Sequence, residues 1–322
     1  MIRALRPTDV LAYLSFCNRL RHGHGDAGGS GQGGNFDALP VVVGFLGRSL
    51  ALEPGRESWV QIDHASISGL VAAKRRVGAD IWDVDQLSII PSADSLTTAT
   101  RLLEQLLSAA VDDGIHKVFL RLDRDDPAQQ WVRHVGFSQY CREITYARPE
   151  VPSFARPPQD PSLRQRKPAD HHSVFQLYCS AVPFRVRQAE GMTLHEWRWT
   201  DGWAVRPVGF SSIVRSPRTD YVVDGTPRVA AWLQVDRASR RLVVLNDDEV
   251  ALNALSDLLT FGLTKLGPGG PAACAARDYQ PRLARALDEG GFHIIREEAL
   301  FARGLAARIP ELKLAPVRAT LQ

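Results

Sequence analysis

The sequence predicts an α/β chain of the α+β kind, built as two domains in tandem, each a mixed, mostly antiparallel sheet flanked by helices. Three observations predict it. Short strand-like runs and amphipathic helical runs follow one another in the same order twice. A proline cluster, Pro149, Pro152, Pro157, Pro158 and Pro161, divides the chain near its middle, and proline suits neither a helix interior nor an inner strand. The flanking residues also match in register. Arg3, Pro7 and Asp9 recur 161 positions on as Arg164, Pro168 and Asp170; Gly136-Phe137, Glu143 and Tyr146-Ala147-Arg148 recur 155 positions on as Gly291-Phe292, Glu298 and Phe301-Ala302-Arg303. This is the signature of a duplication, with domains over 1–148 and 162–322 and a linker over 149–161.

Each element has its own justification. A short strand (Ile2 to Leu5; Leu163 to Arg166) precedes a proline and then an aspartate, Asp9 or Asp170, that caps a helix. His171 and His172 fall on the first turn of the second such helix and point in different directions, so they do not share a metal. Extended segments follow at Trp59 to Ser66, Gly69 to Lys74 and Val84 to Ile90, then at Arg228 to Val235 and Arg241 to Leu245. Ala99, Leu102, Leu103, Leu106, Leu107 and Ala110 make one buried helical face, answered by Ala251, Leu255, Leu258, Leu259 and Leu266. A strand (Lys117 to Leu122; Ala272 to Ala276), a helix ended by Gly-Phe in a left-handed cap, and a last strand (Arg142 to Ala147; Arg296 to Ala302) close each unit.

Composition narrows the function classes. With 322 residues, 44% of them apolar, two ordinary cores are affordable. The longest apolar run near the start, Leu39 to Leu46, is broken by Pro40 and Gly44, far short of the ~20 residues that span a bilayer. With no export signal at the N-terminus, the expected location is the cytoplasm. Cys17, Cys141, Cys179 and Cys274 are far apart and form no zinc or disulfide spacing. A net charge of +3, with basic clusters only at Lys74-Arg75-Arg76 and Arg164 to Lys167, argues against nucleic acid. Seven glycines among Gly23 to Gly34 predict a loop, where His22, His24 and Asp26 lack the fourth fixed ligand of a metal site, so no metal is expected. Trp197, Trp199 and Trp203 read as core or interface packing, with an aromatic ligand pocket as the bolder reading.

This order of elements, with a strand Leu87 to Ile90 running into Pro91, a loop and then the long helix, resembles the GNAT superfamily of acyl-CoA-dependent N-acyltransferases, in a tandem, duplicated form. The resemblance implies a strand that splays from its neighbour and offers backbone groups to pantetheine, here Leu87, Ser88, Ile89 and Ile90. It also implies a loop of pattern Gln/Arg-x-x-Gly-x-Gly/Ala whose amides hold a pyrophosphate at the helix head. The corresponding residues are Asp94, Ser95, Leu96, Thr97, Thr98 and Ala99. Asp94 stands where a cation or amide is usual and Thr97 where glycine is usual. The hydroxyls of Ser92, Ser95, Thr97, Thr98 and Thr100 remain as phosphate donors or as helix caps. In the second half Asn246, Asp247, Asp248 and Glu249 occupy that place, so this half is expected to bind no CoA.

The family's general acid, a Tyr four residues before the Gly-Phe glycine, is replaced by Val132 and Leu287, leaving Tyr140 or Cys141 to substitute. Asp83 and Asp85 are the candidate bases, or surface charges, and Asp85 with Tyr140 is the preferred catalytic pair. The resemblance thus implies transfer from acetyl-CoA or another acyl-CoA to a small-molecule or protein amine, the oxyanion held by a strand amide. The alternative is a non-catalytic GNAT-like protein that binds a small ligand or a protein partner.

Overall fold

In the computed structural model, which describes residues 1–23, 55–64, 66–76, 80–154, 162–191, 218–226 and 228–305, the two halves repeat the predicted order of elements. The first half runs β1 (Ile2–Ala4), a 3-10 turn (Pro7–Asp9), α1 (Val10–Gly23), β2 (Arg56–Asp63), β3 (Ser66–Arg75), β4 (Ile81–Ile89), α2 (Ser95–Asp112), β5 (Lys117–Asp123), α3 (Ala128–His134) and β6 (Ser138–Arg148). The second runs β7 (Leu163–Gln165), a 3-10 turn (Pro168–Asp170), α4 (His171–Ala181), α5 (Phe184–Glu190), β8 (Arg218–Val223), β9 (Ala231–Asp236), β10 (Arg241–Asn246), α6 (Leu252–Leu266), β11 (Ala272–Arg277), α7 (Pro281–Glu289) and β12 (His293–Gly304). The glycine-rich loop with His24 and Asp26, and Trp197, Trp199 and Trp203, lie outside the described residues.

The repeated Arg, Pro and Asp build the same small structure twice. Asp9 accepts from the Arg6 amide at 2.8 Å and pairs with Arg3 at 2.6 Å; Asp170 accepts from the Lys167 amide at 2.7 Å and pairs with Arg164 at 2.7 Å. Each aspartate therefore ties its turn back to the preceding strand and does not cap the helix ahead of it. The basic clusters are likewise engaged: Arg76 meets Asp83, Arg75 meets Asp80, and Arg166 meets Asp220.

The periodic leucines pack as their spacing requires. Thr98, Ala99, Leu102, Leu103, Leu106, Leu107 and Ala110 of α2 are buried on the sheet with Trp59, Trp82 and Phe301. Leu255, Leu258, Leu259, Leu263 and Leu266 of α6 do the same on the second half. Close approach of helix and sheet needs a glycine at each interface, on β3 in the first half and on α6 itself in the second. A Cβ at Gly69 would stand 2.8 Å from Leu102 Cδ1 and 2.9 Å from Thr98 Cγ2, and one at Gly262 would stand 3.0 Å from Leu242 Cδ2.

The twelve strands form one sheet in the order β1-β2-β3-β4-β5-β12-β6-β11-β10-β9-β8-β7. The expectation that each last strand closes its own unit is corrected here, because β12 pairs with β5 of the first half and β6 pairs with β11 of the second. The two exchanged strands also pair with each other, with Glu143 directly opposite Glu298. These residues are 155 apart, so they mark an internal pseudo-two-fold axis. Phe301, though carried by the second half, is fully buried in the first half's core, while Tyr146 packs into the second.

Both Gly-Phe motifs end a helix as predicted. Gly136 and Gly291 have φ of +84° and +74°. Phe137 N–H reaches the Val132 carbonyl at 3.0 Å and Phe292 N–H the Leu287 carbonyl at 3.1 Å, the pairing of a Schellman cap with its apolar contact. The repeated arginine near the end of each last strand then crosses the exchange: Arg148 donates to the Gly290 carbonyl and Arg303 to the Val135 carbonyl, placing a cation at the negative helix end of the opposite half.

Candidate functional site

The first-half cleft opens where two parallel strands part. β4 pairs with β5 only from Ile81↔Lys117 to Val84↔Leu120, whereas β4 stays with β3 as far as Ile89 and β5 stays with β12 as far as Asp123. A bulge at Asp85, the residue skipped between the pairs Ala72↔Gln86 and Ala73↔Val84, turns β4 away at the parting. From Asp85 to Ile89 one edge of β4 therefore has no strand partner among the described residues.

The head of α2 adjoins the outer end of that edge. Thr98 and Ile89 both stand against Gly69, and the Ile90 amide is held by Ser68 at 2.9 Å. Ser95 Oγ lies 2.9 Å from both the amide and the carbonyl of Ser92, so it is committed within the loop. Thr98 N–H already bonds Asp94 O, and the Thr98 hydroxyl is buried on Gln61 Nε2 at 3.2 Å. Ala99 is fully buried. Thus the side chains of Thr98 and Ala99 face the core, and Ser92 and Thr97 are the exposed hydroxyls. Among the described residues no acceptor meets the amides of Leu96 and Thr97. Asp94 is exposed and its carboxylate makes no capping bond.

A GCN5-related N-acetyltransferase from Sphaerobacter thermophilus is similar over 94% of this chain and 95% of its own, with a TM-score of 0.54 and 13% identity. A putative acetyltransferase from Pyrococcus horikoshii is similar over 95% of this chain and 89% of its own, with a TM-score of 0.50 and 12% identity. No protein-family model and no curated protein matches the sequence. The chain has a tandem GNAT fold. The parting of β4 from β5 is the splay that the GNAT resemblance implied from sequence. No described helix is long and apolar enough to cross a membrane.

Within this GNAT fold the predicted catalytic residues lie apart. Asp85 sits at the parting, its carboxylate held by the buried Arg56 at 3.0 Å. Asp83 is bound by Arg76 at 2.6 Å, and Arg76 lies over the Phe119 ring. Tyr140, the bulged residue of β6, is three strands from β4, in the apolar core with α4 and α5 and edge-on to Phe119. Burial raises its phenol, and likewise the thiol of the neighbouring Cys141, so both stay protonated. Val132 is buried in the first half's core at the Schellman cap, so no proton donor stands at the position where the resemblance implied a tyrosine.

The second GNAT cleft parts in the same way but is filled. β10 and β11 pair only at Arg241↔Ala273 and Leu242↔Cys274. Gln280 Nε2 then donates to the Val244 carbonyl at 3.2 Å, on the edge that the parting frees, while its Oε1 accepts the Arg277 amide at 3.2 Å. The registers Val244↔Leu233 and Leu87↔Val71 make Leu87 the first-half equivalent of Val244. The equivalent of Gln280 is Asp126, since Gln280 N–H bonds Arg277 O as Asp126 N–H bonds Asp123 O. Asp126 accepts the Ala128 amide at 2.8 Å, and its side chain has no N–H to give the Leu87 carbonyl.

Beneath the second cleft lies a buried ionic network that sequence reasoning missed. Arg277 joins Glu190 at 2.5 Å and Glu143 at 3.2 Å; Arg121 joins Glu143 at 2.6 Å; Tyr178 donates to Glu190 at 3.1 Å. Burial opposes ionisation of Glu143, but Arg121 and Arg277 outweigh it and hold the carboxyl down at about 2. For Glu298 burial prevails and the pKa is raised. Of this network, only the Glu143 and Glu298 repeat was visible in sequence; no local pattern marks Arg277 or Glu190.

Proposed function

We propose that the first half transfers an acyl group from a pantetheine thioester to an amine, and that the second half is a non-catalytic copy that completes the first half's sheet. The observation that carries this reading is the contrast at one carbonyl. At Val244 a side-chain amide occupies the freed strand edge, and at Leu87 no described residue occupies that edge, beside a helix head whose Leu96 and Thr97 amides meet no acceptor among the described residues. An extended pantetheine arm carries amides of the same kind as Gln280 and suits such an edge. The units are 1–148 and 162–322, joined by 149–161, and the expected compartment is the cytoplasm.

Transfer forms a bond from nitrogen to the acyl carbon and breaks the carbon–sulfur bond; the amine loses a proton and the sulfur gains one. Asp85, oriented by Arg56, is the group best placed at the parting to take or orient that proton. Tyr140, deeply buried, acts only through another group or not at all. The GNAT resemblance supplies acetyl-CoA as the first donor to test, and a small-molecule or protein amine as acceptor.

A second reading, a non-catalytic protein that binds a small ligand or a partner, is favoured by the apolar Val132. Thiol release from acetyl thioesters of pantetheine, 4′-phosphopantetheine and CoA, measured against a panel of primary amines, separates the two. Amine-dependent release that Asp85→Asn lowers at least tenfold supports transfer. Binding of thioesters without release from any of them supports the second reading.

A further inference from the structure

The acyl-transfer reading leaves open which thioester the first cleft takes, and the two ends of that cleft differ in what they can hold. The inner end suits pantetheine. The β4 edge has no strand partner over Gln86 to Ile89 among the described residues. Pantetheine brings amide and hydroxyl donors to such a site.

The outer end does not fit the remainder of coenzyme A. CoA carries a diphosphate and a further phosphate monoester, about four negative charges near neutral pH, with each monoester supplying about −1.5 to −2. Against these the head of α2 offers the amides of Leu96 and Thr97 and a helix-terminal charge of roughly +0.5. No residue from Ser92 to Thr100 is cationic, and the first cation along the helix is the exposed Arg101. Asp94 adds a full negative charge at the loop, and Thr97 places an exposed side chain where glycine would admit a diphosphate. A phosphopantetheine arm esterified to a serine hydroxyl carries a single phosphodiester charge, about a quarter of what coenzyme A would bring to this head.

We propose that the acyl donor is a 4′-phosphopantetheine thioester lacking the adenosine phosphates of coenzyme A, presented free or on a carrier protein. The chemistry of the step is unchanged: the acyl–sulfur bond is exchanged for an acyl–nitrogen bond, and the phosphopantetheine thiol is released with the amine's proton. The phosphate remains outside, at Leu96 and Thr97, while the arm lies along Asp85 to Ile89.

Calorimetric titration of the full chain with three probes tests this: acetyl-CoA, S-acetyl-4′-phosphopantetheine, and an acetylated carrier protein. The expected result is that S-acetyl-4′-phosphopantetheine or the loaded carrier binds at least tenfold tighter than acetyl-CoA. The double variant Asp94→Gln, Thr97→Gly should gain at least tenfold for acetyl-CoA while its affinity for S-acetyl-4′-phosphopantetheine changes less than threefold. Neither change removes a hydrogen bond that the structure shows at the loop. Acetyl-CoA binding tightest to the unaltered chain overturns the donor proposal and leaves acyl transfer standing; no binding of any probe overturns both. A tighter carrier assigns the source to a protein, and equal affinities assign it to the free arm, each upholding the proposal.

Discussion

The two clefts of this chain share a fold, a parting and a helix head, yet among the described residues only the second has its freed strand edge occupied. In the first, Asp126 follows β5 and caps α3; in the second, Gln280 follows β11 and spans the gap to the Val244 carbonyl. One amide side chain thus does in the second half what a ligand's amide would do in the first. Gln280 also accepts the amide of Arg277, whose side chain belongs to the buried network with Glu190, Glu143 and Tyr178. On the proposed reading, a duplicated site is silenced by its own side chains, while the shared sheet keeps the backbone geometry.

The largest effect that could break this comparison concerns whether the halves are separable at all. Phe301→Ala should cost about 3–5 kcal/mol, through the first half's core, where Phe301 is fully buried. Chemical denaturation should show one transition moved as a whole; two transitions, with only the second half's displaced, would contradict the exchange. Of similar size is Arg277→Met, which leaves Glu190 and Glu143 without their shared cation at a cost of about 3–5 kcal/mol. Adding Glu190→Gln should restore part of it.

The same network sets an acid limit. The folded-state value of Glu143, about 2, lies below the 4.5 of an unconstrained glutamate. Its contribution is thus complete above pH 4.5 and is lost as the pH falls toward 2, on the order of 3 kcal/mol. Glu143→Gln should flatten stability over that acid range in denaturant titrations. Glu298 works with the opposite sign, since its raised value makes ionisation costly as pH rises through it. Glu298→Gln should relieve that cost near neutrality.

Two smaller changes sharpen the contrast between clefts. Asp126→Gln transplants the plug and should weaken thioester binding at least tenfold, while the lost cap costs about 1 kcal/mol of stability. Gly69→Ala and Gly262→Ala crowd equivalent helices, at about 1–3 kcal/mol each. Only the first should also weaken donor binding, because only α2 heads the cleft whose freed edge no described residue occupies; equal losses from both would refute the assignment of the site.

Much of the fold was legible in the sequence because duplication prints each element twice. The leucine face of α2 was read residue for residue, and both Gly-Phe caps were placed, since periodicity and left-handed glycine are local signals. β8 was missed because Arg218, Thr219 and Asp220 look like loop residues and gain their strand character from pairing with β9. The strand exchange was invisible for a related reason: Tyr-Ala-Arg and Phe-Ala-Arg mark a strand and a helix-end clamp without saying whose helix is clamped. At the candidate site, the strand parting and the helix head were anticipated, whereas Arg56, Gln61 and Gln280 were not. Gly69 within a strand run was the one overlooked cue, since glycine there marks a close backbone approach.

The position of β12 also has a consequence for synthesis. During translation, β5 of the first half waits for a neighbour that is encoded beyond residue 292, and β6 waits for β11. Until those segments leave the ribosome, the early half holds an exposed strand edge and an incomplete core, the features that invite chaperones and mispairing. Synonymous slowing of elongation after the linker should therefore lower soluble yield more than the same slowing before it.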